Sequence, residues 1–280
     1  MNDIVTRFAP SPSGYLHLGH AASAAKAFGY ANEYSGICIL RIEDIDTTRC
    51  KPEFEQSIYE DLSWLGFNWP TPVRRQTDHL VDYSEVLDKL REMELVYRCF
   101  KTRKEILSDI ARAPHYPGEP YTGPHAAMDA GLEKELAVEG KPYAWRLSLY
   151  RAQEFLGRQY NRLSFMDNGE KVRAVPAMLG DVVLARKDVG TSYHIACCHD
   201  DALQGVTDIV RGVDLLDSTH IHRLLQELMG WPVPRYHHHA LLTDADGKRY
   251  AKRDKSLTLR AIRQSGATPE FILAQAQELG

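Results

Sequence analysis

The first forty or so residues constrain this chain more than any other segment. Ile4 to Phe8 reads as a strand and Ala9-Pro10-Ser11-Pro12-Ser13-Gly14 as a turn-rich loop. An alanine-rich stretch from Leu18 to Tyr34 reads as a helix, and Ile37 to Ile42 as a second strand closed by Glu43, Asp44 and Asp46. Strand, loop, helix and strand in that order form a βαβ unit. Two parallel strands can be joined only by a crossover, so the unit implies a parallel sheet with right-handed connections. The fold class expected is α/β.

The rest of the chain is consistent with that class. Glu53 to Leu65 reads as a helix because Phe54, Ile58, Leu62 and Leu65 recur at helical spacing. Tyr83 to Leu95 reads as another. From about Cys99 to Met166 the pattern weakens around Pro114, Pro117, Pro120 and Pro124, which suggests an insertion with short elements of its own. Strand signals return at Val182–Leu184, Tyr193–Cys198 and Val206–Arg211. A helix is expected over Ser218–Met229, capped by Asp217 or Ser218 and ended by Gly230 and Pro232. A basic loop, Gly247 to Lys255, precedes one or two short helices. A chain of 280 residues fits one large α/β domain with an insertion, or two domains. The expected boundaries are 1–98, 99–172, 173–232 and 233–280.

Composition narrows the partners. The formal net charge is -4, so any contact with RNA must be local. Five cysteines without regular spacing do not form a disulfide framework, and a reducing cytoplasm is the simplest compartment. No signal peptide and no membrane-spanning apolar run are read from the sequence.

Two loops could carry chemistry. In Pro12-Ser13-Gly14-Tyr15-Leu16-His17-Leu18-Gly19-His20, two histidines stand at the start of a helix that follows a strand. A helix start offers free N–H groups and partial positive charge, which suits a phosphate, and Gly19 permits close approach. A metal-binding or merely structural histidine pair is the alternative. The second loop, Gly247-Lys248-Arg249-Tyr250-Ala251-Lys252-Arg253, is strongly cationic. It could close over a triphosphate. A solvated charge run is the plainer reading. With Lys255, Arg260 and Arg263, this region is also the best local candidate for RNA phosphates.

Together the motifs resemble a known family. His17-Leu18-Gly19-His20 looks like the HIGH motif of class I aminoacyl-tRNA synthetases, and Arg249-Tyr250-Ala251-Lys252-Arg253 looks like a diverged KMSKS motif. Arg7-Phe8-Ala9-Pro10-Ser11-Pro12-Ser13-Gly14, Leu40 to Asp46 and Asp208 to Asp214 are closer still to glutamyl-tRNA synthetases. Only about twenty-five residues follow the cationic loop, where a full glutamyl-tRNA synthetase continues into an anticodon-binding domain. The chain is therefore similar to glutamyl-Q tRNA(Asp) synthetases, which also fits Asp200 to Val206.

The resemblance implies a Rossmann-like, parallel-sheet, nucleotide-binding catalytic domain. It would be split by an inserted α+β subdomain and followed by a short helical C-terminal region that contacts the tRNA stem. It implies activation of L-glutamate with ATP without tRNA, then transfer to queuosine in the anticodon of tRNA(Asp). His17, His20 and Lys252 would be catalytic, and Gly19 and Arg249 would join them around ATP, with Mg²⁺ arriving on the nucleotide. Arg7, Ala9, Ser11, Glu43, Tyr193 and Arg211 would hold glutamate: guanidinium forks for the carboxylates, Glu43 for the ammonium, Tyr193 as a donor. Lys248, Arg253, Lys255 and Arg260 would touch RNA. The plain alternative is that Arg7, Glu43 and Arg211 pair with one another. A monomer without membrane attachment is expected.

Departures from the family pattern are informative. Ala251 stands where serine is common, but Lys252 is retained. Related proteins often carry Cys-x-Cys, then a tyrosine and another cysteine; here Cys99 stands with Lys101, and Pro120 follows Tyr116. A structural zinc is therefore not expected, because two thiolates are lost, and His115 and His125 are weak substitutes. His237-His238-His239 points to alternate faces of a strand, a poor chelate, and reads as structural or nucleotide-adjacent. Cys197-Cys198 reads as buried strand. Two other functions remain open: a truncated synthetase charging a tRNA 3′ end, and an inactive RNA-binding paralogue.

Overall fold

The computed structural model describes residues 4–106, 120–123, 128, 130–186, 190–241 and 258–278. The opening βαβ unit is present: β1 (Val5–Phe8), α1 (Leu18–Glu33) and β2 (Ile37–Ile42), with the two strands parallel and Thr6 opposite Cys38. Ala21, Ala22, Ala24, Ala27 and Ala31 are buried along α1, so small side chains let the helix lie close to the sheet. Gly36 allows the re-entry into β2, because a Cβ there would overlap the Ile4 carbonyl.

α2 (Pro52–Trp64) starts with proline in its first turn and with Glu53 and Glu55 at its positive end. It leads to β3 (Arg74–Arg75), which pairs parallel with β2. On the other side of β1 the Thr207 amide donates to the Val5 carbonyl at 2.9 Å, which sets β9 (Asp208–Gly212) beside β1. β10 (Arg235–His239) lies parallel between β9 and β6 (Ser164–Asp167), and β7 (Glu170–Arg173) runs antiparallel at the edge. Two ladders, β3-β2-β1 and β9-β10-β6-β7, thus lie side by side where β9 meets β1. Chain direction along the sheet reverses between β1 and β9, and such a switch point leaves a crevice at the carboxyl ends of the strands.

A separate antiparallel sheet joins β4 (Val96–Cys99), β5 (Ala144–Leu147) and β8 (Val183–Arg186). It takes chain from both sides of the 99–172 span, whereas β6 and β7 lie within that span and join the parallel sheet. α3 (Leu80–Glu92), α4 (Ala130–Val138) and α5 (Leu149–Leu156) accompany it.

Two local expectations are corrected. Tyr193–Cys198 is not a strand but the first half of α6 (Tyr193–Leu203). Ile195, Ala196, Cys197, Cys198, Asp200 and Asp201 are all buried, so the helix has no exposed stripe to betray its period. Cys197 and Cys198 are accordingly buried free thiols of a helix. α7 (Leu216–Met229) starts two residues before Ser218, with Leu215 at its cap and no side-chain cap bond. The chain enters it from the short 3-10 turn Val213–Leu215, so neither Asp217 nor Ser218 is placed to cap it. Gly230, left-handed at φ 65, ends it as expected.

α8 (Leu259–Gln264) and α9 (Pro269–Glu278) form the tail. Leu259, Ile272 and Ala276 pack into the same core cluster as the alanines of α1. The Leu259 amide donates to the Leu16 carbonyl at 2.8 Å, and Thr258 makes an antiparallel bridge to His17.

Candidate active site

A cavity of about 390 Å³ lies at the carboxyl ends of β1 and β9, in the crevice at the switch point. Arg7 from β1, Ala9 and Ser11 from the following loop, and His17, Gly19 and His20 from the start of α1 line it. Glu43 at the end of β2, Tyr193 at the start of α6 and Arg211 in β9 complete that set. The cavity therefore gathers residues spread over two hundred positions of sequence. Ser23, Gly212 and Asp214 also line it and were not singled out for this site, and His239, read as structural or nucleotide-adjacent, lines it too. Gly212 and Asp214 sit inside a quoted motif, so a reader could have extended the site to them; nothing local marks Ser23.

The histidines form a capping box. His17 is the N-cap of α1, and its Nδ1 accepts from the Gly19 amide at 3.1 Å. His20 Nδ1 accepts from the His17 amide at 3.2 Å, and the two rings lie 3.9 Å apart. A nitrogen that accepts a hydrogen bond carries no proton, so each neutral ring holds its proton on Nε2. Two N–H donors thus sit at a helix start that already favours an anion. Gly19 is needed here for space: a Cβ would stand 3.0 Å from the His17 ring. Gly19→Ala is expected to lower nucleotide turnover about tenfold by displacing that ring, an ångström-scale misplacement being sufficient for such a loss. Steady-state rates beside an unchanged melting curve check it; full activity would show that the ring position is immaterial.

The charged lining is not the simple pairing of Arg7, Glu43 and Arg211 with one another. Asp201 accepts from Arg7 Nε at 3.1 Å and from Arg41 Nη2 at 2.7 Å. Arg41 also reaches Glu43 at 3.3 Å and the Gln204 side-chain carbonyl at 3.0 Å. Burial opposes charge on Asp201, but Arg7 and Arg41 outweigh it and hold the carboxyl below its usual range. Burial pushes the Glu43 carboxyl up, against the pull of Arg41 and Arg7. Burial also pushes the Cys197 thiol up to about 12, so it stays protonated and donates to Asp201 at 3.4 Å. Asp200, fully buried, stands 4.0 Å from Arg41 Nε and also accepts from Arg74 at 2.9 Å, so three carboxylates and three guanidinium groups form one cluster. Asp201 was missed as a site residue because its partners Arg7 and Arg41 are far away in sequence, and Arg41 was missed although it sits in a quoted motif two residues before Glu43.

Arg211 is different. Its Nε donates to His238 Nε2 at 3.1 Å, Nη1 to the Tyr193 hydroxyl at 3.1 Å, and Nη2 to Thr219 Oγ1 at 2.6 Å and the Leu215 carbonyl at 3.1 Å. Every partner is neutral, and no described carboxylate makes an ion pair with it. His194 is pushed down to about 4 by burial and by Arg211, and His222 is driven down by the same causes, so both rings beside Tyr193 stay neutral. Burial raises the Tyr193 hydroxyl well above its ordinary value, which keeps it a donor. A guanidinium has five N–H groups, and four are used. The remaining Nη1–H and the Tyr193 O–H can grip one carboxylate, and its charge would neutralise Arg211.

The three consecutive histidines are structural on two counts and lining on the third. His237 bonds Asp208 at 2.9 Å and His238 bonds Asp167 at 2.9 Å, while His239 bonds Ser23 at 3.2 Å and faces the cavity. Arg260 is exposed, with its guanidinium 5.0 Å above the Tyr15 ring. Lys248, Arg249, Lys252, Arg253 and Lys255 lie outside the described residues, as do Tyr116, His115 and His125. The flanks of the cationic loop are described: Leu241 lines the cavity and Thr258 bridges to His17. Cys99 is buried, 4.0 Å from the Tyr121 hydroxyl. Among the described residues no group of three His, Cys, Asp or Glu side chains could hold a metal ion, and no helix is long and apolar enough to cross a membrane.

A switch-point crevice with capped histidines, and a guanidinium that no described carboxylate pairs with, suits anionic ligands. The family model for the catalytic domain of class I tRNA synthetases (E and Q) matches residues 3–280, and the chain belongs to that family. It is a ligase of the aminoacyl-tRNA synthetase type, a class that uses ATP with Mg²⁺. Among its relatives are glutamyl-Q tRNA(Asp) synthetases: it is 43% identical to that of Rhodobacter capsulatus over 96% of this chain and 98% of the relative. It is 34% identical to the glutamate–tRNA ligase of Aquifex aeolicus, covering 97% of this chain but 56% of the relative. The solved glutamate tRNA ligase of Elizabethkingia meningosepticum, in complex with its amino acid, superposes with a TM-score of 0.72 at 30% identity. That match covers 90% of this chain and 52% of the other, so the chain spans about half of that structure.

Proposed function

We propose that the chain activates L-glutamate with ATP in the absence of tRNA and transfers it to the queuosine base of tRNA(Asp). The observation that carries this reading is Arg211: a buried cation with no described anion beside it, in reach of the Tyr193 hydroxyl, within a cavity headed by a phosphate-suited helix start. The 43% identity to a glutamyl-Q tRNA(Asp) synthetase over nearly all of both chains supports the acceptor.

In this reading the glutamate side-chain carboxylate lies against Arg211 and Tyr193, with Arg7 as a second guanidinium. Glu43 meets the ammonium, and Ala9 and Ser11 line the pocket. The α-carboxylate attacks the α-phosphorus of ATP; a P–O bond forms as the bond to pyrophosphate breaks, giving glutamyl-adenylate. His17 and His20 donate from Nε2 to the phosphates, Gly19 gives room, and Lys252 and Arg249 supply cations to the same phosphates. Mg²⁺ arriving with ATP neutralises phosphate charge. A queuosine hydroxyl then attacks the adenylate carbonyl and AMP leaves. Lys248, Arg253, Lys255 and Arg260 meet RNA phosphates, and the protein acts as a cytoplasmic monomer.

Glutamate-dependent ATP–pyrophosphate exchange without tRNA tests the first half, and the nucleotide labelled by radioactive glutamate in a tRNA pool tests the second. Exchange that required tRNA, with label at the 3′ end, would replace this reading by that of a conventional charging enzyme. No exchange at all would favour a binding protein.

A further inference from the structure

We infer that Asp167 and His238 are positioning residues, which orient Arg211 through a neutral imidazole and so leave its charge available to a ligand carboxylate. The inference rests on the glutamate-binding reading of the cavity. It starts from a contrast between two buried arginines on neighbouring strands. Arg7 is held directly by a carboxylate, Asp201. Arg211 is held by an imidazole, and the carboxylate stands one step further back.

The hydrogen bonds fix every proton in this chain of groups. Arg211 Nε is always a donor, so His238 Nε2, 3.1 Å away, must be the acceptor and carries no proton. The ring proton is therefore on Nδ1, which donates to Asp167 Oδ1 at 2.9 Å. The same oxygen accepts the His238 backbone amide at 3.2 Å, and the Asn168 side chain donates to the His238 carbonyl at 3.0 Å. The end of β6 thus clamps residue 238 from both sides of its backbone. His238 is nearly fully buried and stacks parallel to Tyr236, whose ring also lies 5.3 Å from the Arg211 guanidinium. The ring has one orientation and one tautomer.

This arrangement solves a problem that direct pairing would create. A carboxylate on Arg211 would occupy its fork and cancel its charge, leaving little attraction for a substrate carboxylate. A neutral ring supplies the acceptor that Nε needs in a buried place, and Asp167 supplies the force that orients the ring. Arg211 keeps its charge and aims its remaining Nη1–H beside the Tyr193 hydroxyl. A ligand amide in place of the carboxylate would not neutralise that charge, so the pair also sets the preference for glutamate over glutamine.

The test is ATP–pyrophosphate exchange by the full chain, with glutamate, glutamine and ATP varied separately, beside melting curves. His238→Phe keeps the stacked ring and removes both nitrogens. KM for glutamate is expected to rise about 10- to 100-fold, by analogy with the loss of an outer partner behind a metal-ligating side chain. The glutamate-to-glutamine ratio should fall, while KM for ATP stays within about twofold. Asp167→Asn keeps the shape and both hydrogen bonds but drops the charge; it should raise KM for glutamate severalfold, and it decides the matter if His238→Phe does not fold. Unchanged KM for glutamate in a folded variant, or equal losses for both substrates, would overturn the positioning role and leave the glutamate reading standing. A wild-type protein with no glutamate-dependent exchange would overturn both.

Discussion

Arg211→Ala is expected to raise the KM for the amino acid by about 10²- to 10³-fold while the unliganded protein melts near the wild-type temperature. The first half follows from charge: a buried, hydrogen-bonded ion pair with a ligand is worth about 2–5 kcal/mol on truncation of one partner. The second half follows from the absence of a described carboxylate partner. Removing Arg211 removes a buried positive charge that no described carboxylate pairs with, which compensates for the hydrogen bonds lost at Thr219, the Leu215 carbonyl and His238. Titration calorimetry with glutamate and a thermal melt check both halves. A large drop in melting temperature with ordinary substrate affinity would mean that the residue serves the fold and not the ligand.

Asp201→Ala should show the reverse balance. This carboxylate is the shared partner of Arg7 and Arg41, both deeply buried, and it also accepts from the Cys197 thiol. Its loss leaves two guanidinium groups facing each other without the anion between them. The expected cost is about 3–5 kcal/mol, the usual result of breaking a buried ion pair from one side. For a chain of this size that corresponds to a fall of roughly 10 °C in melting temperature. Asp201→Asn, which keeps the shape and an acceptor, should lose less. A melting temperature within a degree or two of wild type for the alanine variant would show that Glu43 and Asp200 balance both cations without it.

Much of the catalytic half of this molecule was readable because its signals are local. The strand, loop, helix and strand from Val5 to Ile42 lie consecutively, and the cap residues His17 and His20 sit where a helix must begin. Gly230 ended its helix for a reason visible in three residues. The failures have the opposite character. The sequence of α6 reads as a strand because burial on nearly every face erases the periodic contrast that a sequence can show. The Arg7–Asp201 and Asp167–His238 pairs join residues 194 and 71 positions apart, so no window along the chain contains both members. The span expected to be a self-contained insertion gives β6 and β7 to the parallel sheet, because strand pairing is decided across the sheet and not along the chain.

The bridge between His17 and Thr258 joins two stretches of chain that are far apart in sequence and meet at one residue. The backbone of His17 closes a helix on one side and receives the returning tail on the other. Cutting the chain before Thr258 would strip that tail's apolar side chains from the alanine face and free the histidine that heads it. The described residues from Thr258 onward therefore brace the start of α1, although none of them lines the cavity.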